Sequence, residues 1–208
     1  TVEDPIEFLY RDKRSIISQR EVGYDTHDFP KALKASFRED PDTILIGEIR
    51  DSETMHIALQ AADTGHLVMS TLHTMDATET ISRIVSFYPP HQHQQVRLLL
   101  ANTLVAIISL RLLPRKDRQG RVPACEILVN NATIKEYLID QMQTHMIESA
   151  IREGNAQYGS QSFDQSVHKL FIDGMISYEV ALRNASNPAD FELKLRGVEG
   201  TSDRSWMT

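Results

Sequence analysis

Apolar residues fall along this chain in two rhythms, and the switch between them outlines the elements. Short, nearly continuous apolar runs, "TILIG" (43–47), "HLVMSTLHT" (66–74) and "VPACEILV" (122–129), predict strands, the first of them buried. "SIISQREV" (15–22) predicts a further short strand, and "TVED" (1–4) the end of one. Between them the spacing turns helical. Ala32, Leu33, Ala35, Ser36 and Phe37 follow Pro30 behind the cap candidate Asp28, and Pro41 forces that helix to end. Ser52 is expected to cap a helix that reaches Asp63 and stops at Gly65, and Asp76 to cap another ending near Phe87. After Pro89-Pro90, the residues Val96, Leu99, Leu100, Thr103, Leu104, Ile107 and Ile108 share one face and predict a long helix through residue 108.

Strands alternating with helices imply right-handed crossovers and a mostly parallel α/β sheet. From Ala132 the pattern is helical only, with segments at 133–153, 161–173, 177–185 and 188–196, and Ser177 and Asn187 as caps. The expected organisation is an α/β region over 1–131, a helical region over 132–196 and a disordered, aperiodic tail over 197–208.

Composition narrows the function classes. With 41% hydrophobic and 25% charged residues, the 208-residue chain reads as an ordinary globular protein. Its longest apolar stretch, Leu98–Leu113, is broken by Asn102, Thr103, Ser109 and Arg111, so no run reaches the roughly 18–20 residues that span a bilayer. One cysteine, Cys125, excludes an internal disulfide framework and a cysteine-rich zinc module. A net charge of −7 argues against nucleic acid as a partner, since that affinity rests on neutralising phosphates.

The chemistry collects at strand ends, where open α/β sheets bind ligands. "TVEDP" ends in Glu3 and Asp4, "ILIGEIRD" carries Glu48, and "VMSTLHT" carries Thr71, His73 and Thr74. Glu48 reads either as a solvated carboxylate or as one that holds Mg²⁺ through its water shell or orients an attacking water. Glu3 and Asp4 read either as turn residues before Pro5 or as a general base for water. His66 and His73 sit seven apart around one strand, on opposite faces if it is regular, so they are not expected to ligate one metal together. A lone strand-end histidine can instead hydrogen-bond a phosphate. "HQH" (91–93) follows Pro-Pro at a helix start and reads as surface before it reads as metal. Arg20, Arg38, Arg50 and Arg83 lie beside strand or helix ends, as surface ion pairs or as phosphate contacts.

Together these stretches resemble the secretion ATPases of type IV pilus and type II secretion machines. "TVEDPIEF" (1–8) is similar to that family's Asp box, "ILIGEIRD" (44–51) to its Walker B segment and "TGHLVMSTLHT" (64–74) to its His box; "QREVG", "SFREDPD" and "ISRIVSFYPP" fit around them in order and spacing. The resemblance covers 1–131 closely and the helical remainder loosely. It implies a partial RecA-like ATPase core with a C-terminal helical region, ATP and Mg²⁺ as cofactors, and assembly into a hexameric ring at the cytoplasmic face of the inner membrane. The implied partners are an inner-membrane platform protein of the pilus and a related retraction ATPase; the implied contact with the membrane is peripheral. It also implies Glu3 as the catalytic glutamate, Glu48 as the Walker B glutamate near Mg²⁺, and His66 and His73 as the His-box residues. Asp4 and Thr71 would lie near the nucleotide, with Arg20 and Arg83 as candidate phosphate contacts in cis or from a neighbouring subunit.

Three departures refine the resemblance. Extension and secretion members insert a four-cysteine zinc motif, whereas "LRLLPRKDRQGRVPACEIL" has one cysteine, which favours the retraction branch. That branch carries "AIRNLIRE" where this chain has "TIKEYLID" (133–140), keeping Ile134 and a terminal acid and losing most other positions. No G-x-x-x-x-G-K-[ST] occurs anywhere in the chain, which opens at Thr1 inside a motif. A truncated motor subunit, weak in ATP binding and negligible in turnover as it stands, is the expectation. A silent or regulatory ring subunit and an extension or secretion motor are the alternatives.

Overall fold

The computed structural model describes residues 1–195, and the tail expected to be disordered lies outside the described residues. These residues pack as two compact units, one formed by 1–73 and 83–103, the other by 74–82 and the chain from 104 onward.

The first unit is built on four parallel strands: β1 (Val2–Glu3), β2 (Arg20–Glu21), β3 (Thr43–Ile46) and β4 (Leu67–Ser70), in the order β2-β1-β3-β4. Parallel neighbours need crossovers: a loop over 4–19 joins β1 to β2, and helices α1 (Phe29–Ser36) and α2 (Ser52–Asp63) lead into β3 and β4. Ile44 and Ile46 of β3, Val2 of β1 and Leu33 of α1 are buried, each burial worth about 1.5–3 kcal/mol. The register sets Val2 opposite both Arg20 and Ile46, and pairs Thr43–Ile46 with Leu67–Ser70. Just past β3, Gly47 donates its N–H to the Val2 carbonyl at 2.8 Å. A Cβ there would lie 3.2 Å from Glu3 Cα, so a glycine lets the ends of β1 and β3 run side by side.

Local chemistry explains where prediction and structure part. Asp28 caps α1 as expected, accepting from Lys31 N at 2.7 Å. The cap of α2, however, is Asp51 and not Ser52. Asp51 is extended, accepts from Thr54 N at 2.8 Å and takes the Thr54 hydroxyl at 2.7 Å, which leaves Ser52 already helical. Of "SIISQREV" only Arg20–Glu21 joins the sheet. Ile16 stays 92% exposed, and Ile17 N is taken by Asp12 Oδ1 at 2.9 Å, so the segment before β2 is a loop tied by side chains.

The helix expected through residue 108 stops early. α3 (Ala77–Ser86) passes from the second unit's residues into the first's, and α4 (His93–Thr103) ends with the Thr103 hydroxyl bonded to the Leu99 carbonyl at 2.9 Å. The chain then enters β5 (Ala106–Pro114), paired antiparallel with β6 (Arg121–Val129) from Ala106↔Val129 to Pro114↔Arg121. Here the period is two: Ile107, Ser109 and Leu113 are buried, while Ile108, Leu110 and Leu112 are exposed. β-branched Val105, Ile107 and Ile108 favour that outcome over a helical end.

The helices of the second unit are α5 (Ala132–Ile139), α6 (Ile147–Glu153), α7 (Asn155–Tyr158), α8 (Phe163–Ile172), α9 (Tyr178–Asn184) and α10 (Pro188–Leu195). The single helix expected over 133–153 breaks at Asp140, which turns extended and caps a 3₁₀ turn by accepting from Met142 N at 2.9 Å. Ser162 and Gln165 form a reciprocal capping box at α8, and Ser177 caps α9. Leu113, Val122 and Ala124 of the hairpin share one core with Phe163, Val167, Ile176, Ala181 and Phe191 of these helices.

The start of α3 is held twice. Asp76 accepts from Glu79 N at 2.8 Å, and Glu126 of β6, 6% exposed, accepts from Ala77 N at 2.8 Å. Burial raises the Glu126 carboxyl above its ordinary 4.5, with Asp76 and Glu148 adding to the effect and the Ala77 hydrogen bond and Arg111 opposing it. A carboxyl raised by folding binds more protons folded than unfolded, so stability falls as pH rises from the unfolded value through the folded one. Glu126→Gln is therefore expected to gain stability over the parent as pH climbs above 4.5, with the gain vanishing below it. Urea unfolding across pH 4 to 8 checks this (roughly the stable range of most domains); a difference that is flat or shrinks with rising pH would refute it.

Candidate active site

The ends of β1, β3 and β4 lie along one edge of the parallel sheet, and their next residues form a charged cluster. Beyond β4 the Thr71 hydroxyl donates to the Gly47 carbonyl at 2.6 Å, and Ile49 N donates to the Thr71 carbonyl at 3.2 Å. This stitching carries the Glu48 segment beside the His73 segment, leaving His73 Nε2 3.3 Å from Glu48 Oε2. Arg50 Nη2 meets Glu48 Oε1 at 2.5 Å, and its Nη1 lies 3.9 Å from Asp4 Oδ2.

Exposure separates the roles. The Glu48 side chain is 13% exposed, while His73 at 87% and Arg50 at 65% lie open above it. The Arg50 hydrogen bond, helped by His73, holds the Glu48 carboxyl below its ordinary 4.5 against the opposing effect of burial. Glu48 is thus a fixed anion at neutral pH, suited to holding a cation or water rather than to donating a proton.

Glu3 is buried, at 8% exposure. Its Oε1 accepts from the Thr1 hydroxyl at 2.6 Å and from Gln19 Nε2 at 3.1 Å. Asp4 leads into a cis bond to Pro5.

Of the residues singled out by sequence, Asp4 and Glu48 meet through Arg50, His73 pairs with Glu48 itself, and Thr71 joins them through Gly47. The other four have different surroundings, Glu3 pairing with Thr1 and Gln19 as above. His66 precedes β4 at its opposite end, with Nδ1 3.0 Å from the Ala61 carbonyl and 3.2 Å from Thr64 Oγ1. Arg20 pairs with Glu39. Arg83 stacks its guanidinium 5.1 Å from the Phe87 ring centre. His93 of "HQH" faces the Tyr88 carbonyl at 2.8 Å. Among the described residues no group of three or more His, Cys, Asp or Glu could hold a metal. Any cation at Glu48 would need most of its ligands from water and a bound ligand.

Two participants escaped the sequence reading. Arg50 appeared there only as one arginine among four, although its place two residues after Glu48 puts both on one side of an extended segment. Gln19 had no signal, since its meeting with Glu3 depends on the β1–β2 pairing.

A parallel sheet with charged groups gathered outside its strand ends is the layout of α/β domains that bind phosphorylated ligands. The chain belongs to the Type II/IV secretion system protein family, whose model matches residues 1–180. It is 46% identical over 187 residues to a twitching motility protein of Neisseria gonorrhoeae, covering 90% of this chain and 50% of that protein. With the type IV pilus ATPase PilU of Pseudomonas aeruginosa it shares 39% identity over 204 residues, covering 98% of this chain and 53% of the other. Among solved structures it matches the pilus retraction motor PilT with bound ADP, at 43% identity and a TM-score of 0.82 over 92% of this chain and 53% of that one. Its α/β part is accordingly a partial RecA-like core, and the chain spans about half the length of the curated relatives it matches.

Proposed function

We propose that this chain belongs to an ATPase motor subunit that, in the intact protein, couples ATP hydrolysis to retraction of a type IV pilus. The observation that carries the reading is the convergence of Glu48, Arg50, His73 and Asp4 at three parallel strand ends, in a chain similar to twitching and retraction proteins. The turn from Arg115 to Gly120 between β5 and β6 has no cysteine, which supports the retraction branch over extension and secretion motors. The motor works as a hexameric ring at the cytoplasmic face of the inner membrane. It meets a platform protein and a related retraction ATPase there and needs no nucleic acid.

The residues present fit a nucleotide better than they fit a dedicated metal cage. Mg²⁺ characteristically takes one or two carboxylates, the substrate's phosphates and several waters, and Glu48 supplies one such carboxylate. When bound, the ion neutralises charge between the phosphates. Arg50 and His73, both largely exposed, are the groups that would meet phosphate oxygens, and Glu48 is the carboxylate that would hold the ion through its water shell. Thr71 and Asp4 line the same edge. Glu3, buried at the end of β1 just before Asp4 in the chain, orients the attacking water and takes its proton. Arg20 and Arg83, which pair with Glu39 and Phe87, remain candidate phosphate contacts in cis or across a subunit boundary.

A second reading, a silent ring subunit, draws on one observation: the 208 residues contain no phosphate-cradling G-x-x-x-x-G-K-[ST] loop. Phosphate release separates the two. The intact protein is expected to hydrolyse ATP in a Mg²⁺-dependent way, while the isolated 208-residue chain stays at background. An inert intact protein would support the silent reading. Steady turnover by the isolated chain at the intact rate would sink the idea that it holds half a site.

A further inference from the structure

The Gln19 amide ties three separate points together. Its Nε2 donates to Glu3 Oε1 at 3.1 Å and to the Phe8 carbonyl at 3.0 Å, and its Oε1 accepts from Tyr10 N at 2.8 Å. Both donors and the acceptor of the side chain are thereby used. The chain leaves β1 after Glu3 and re-enters the sheet only at Arg20, and the excursion between them buries little: Phe8 is 75%, Leu9 84% and Ile16 92% exposed. Such a loop cannot fix a neighbouring carboxylate by packing. Gln19, next to the first residue of β2, anchors the loop and the carboxylate to the sheet in one step.

We propose that Gln19 is a positioning residue that fixes the rotamer of Glu3, an inference that rests on Glu3 acting on the attacking water. Both side-chain hydrogen bonds to the Glu3 carboxylate fall on Oε1, from Gln19 and from Thr1, which leaves Oε2 as the oxygen for the reacting water. A neutral amide suits this task. It orients the carboxylate without the full positive charge by which a lysine or arginine would blunt it as a base.

The test uses the intact protein and three variants. Gln19→Met keeps length and removes all three hydrogen bonds. Gln19→Glu keeps the acceptor for Tyr10 N but removes the donor and sets a second carboxylate against Glu3. Both are expected to lower kcat by about 10- to 100-fold, the range that misplacement by about an ångström produces. Affinity for ADP and thermal midpoints should stay near those of the parent. In a Glu3→Gln background, Gln19→Met should lower kcat no further, because the residue acts only through Glu3.

A clamp that merely holds the loop predicts otherwise. Gln19→Glu would then keep most of its turnover, and Gln19→Met would lose affinity and stability along with rate. That pattern overturns the proposal, as does a further loss from Gln19→Met in the Glu3→Gln background. An inactive Glu3→Gln beside a fully active Gln19→Met refutes the role of Gln19 alone. Normal turnover by Glu3→Gln refutes the reading of Glu3, and the role of Gln19 falls with it.

Discussion

Glu48→Gln in the intact protein is expected to slow hydrolysis by about 10²–10³, the usual cost of removing one positioned group from charge-stabilising chemistry. Nucleotide affinity should change little. The expectation comes from the cluster rather than from the glutamate alone. Glu48 is 13% exposed and sits beneath Arg50 at 2.5 Å and His73 at 3.3 Å, with its carboxyl held below the ordinary 4.5. Glutamine keeps the shape and one acceptor oxygen but carries no charge, so it cannot hold a cation-bound water as an anion does. Arg50 then retains only Asp4, 3.9 Å away, as a carboxylate partner. The variant should fold, since neither Glu48 nor Arg50 belongs to the apolar core. Titration with a fluorescent nucleotide and steady-state phosphate release measure the two quantities separately. Turnover within a few-fold of the parent would remove Glu48 from the chemistry, and a parallel collapse in affinity would make it a binding residue instead.

The range of each interaction decides how far the sequence reveals it. Strand ends were legible because Ile44 and Ile46 are apolar enough to demand burial, and the residue leaving such a run emerges at the edge of the sheet. That logic placed Glu48 and His73 near each other before any pairing was known. It could not place Arg20, whose partner Glu39 comes from the segment after α1, or Gln19, whose contact depends on how β2 meets β1. The end of α4 was ambiguous for a different reason. Ile107 and Ile108 satisfy a helical face and also begin the alternation that continues through Ser109 and Leu113, and only the pairing with β6 decides between them. Ser52 lost the cap to Asp51 because the Thr54 backbone and hydroxyl together reward a carboxylate one residue earlier. The pattern changes to helices at Ala132, yet the hairpin before that point and the helices after it share a core. Periodicity reports which face of an element is buried, and it carries no record of what buries it.

That shared core sets the second large expectation, for Phe163→Ala. Phe163 opens α8 directly behind its Ser162 cap, is 3% exposed, and packs in the cluster with Leu113, Val122 and Ala124 of the hairpin. The Arg111 guanidinium of β5 lies 3.7 Å from its ring centre. Truncating a buried phenylalanine costs about 3–5 kcal/mol, and the lost cation–π contact adds about 0.5–2 kcal/mol. Against a typical domain stability of about 5–15 kcal/mol, the second unit should sit near its unfolding threshold. Phe163→Leu keeps most of the apolar volume and should cost far less. Urea unfolding followed by circular dichroism gives the size of the effect, and amide exchange gives its extent. Because hairpin and helices bury one another, amides of β5 and β6 should lose protection together with those of α8. A loss below about 1 kcal/mol, smaller than ordinary core truncations, would mean the site collapses around the missing ring. Protection retained by β5 and β6 while α8 opens would show that the hairpin holds itself, and the shared core would then be two.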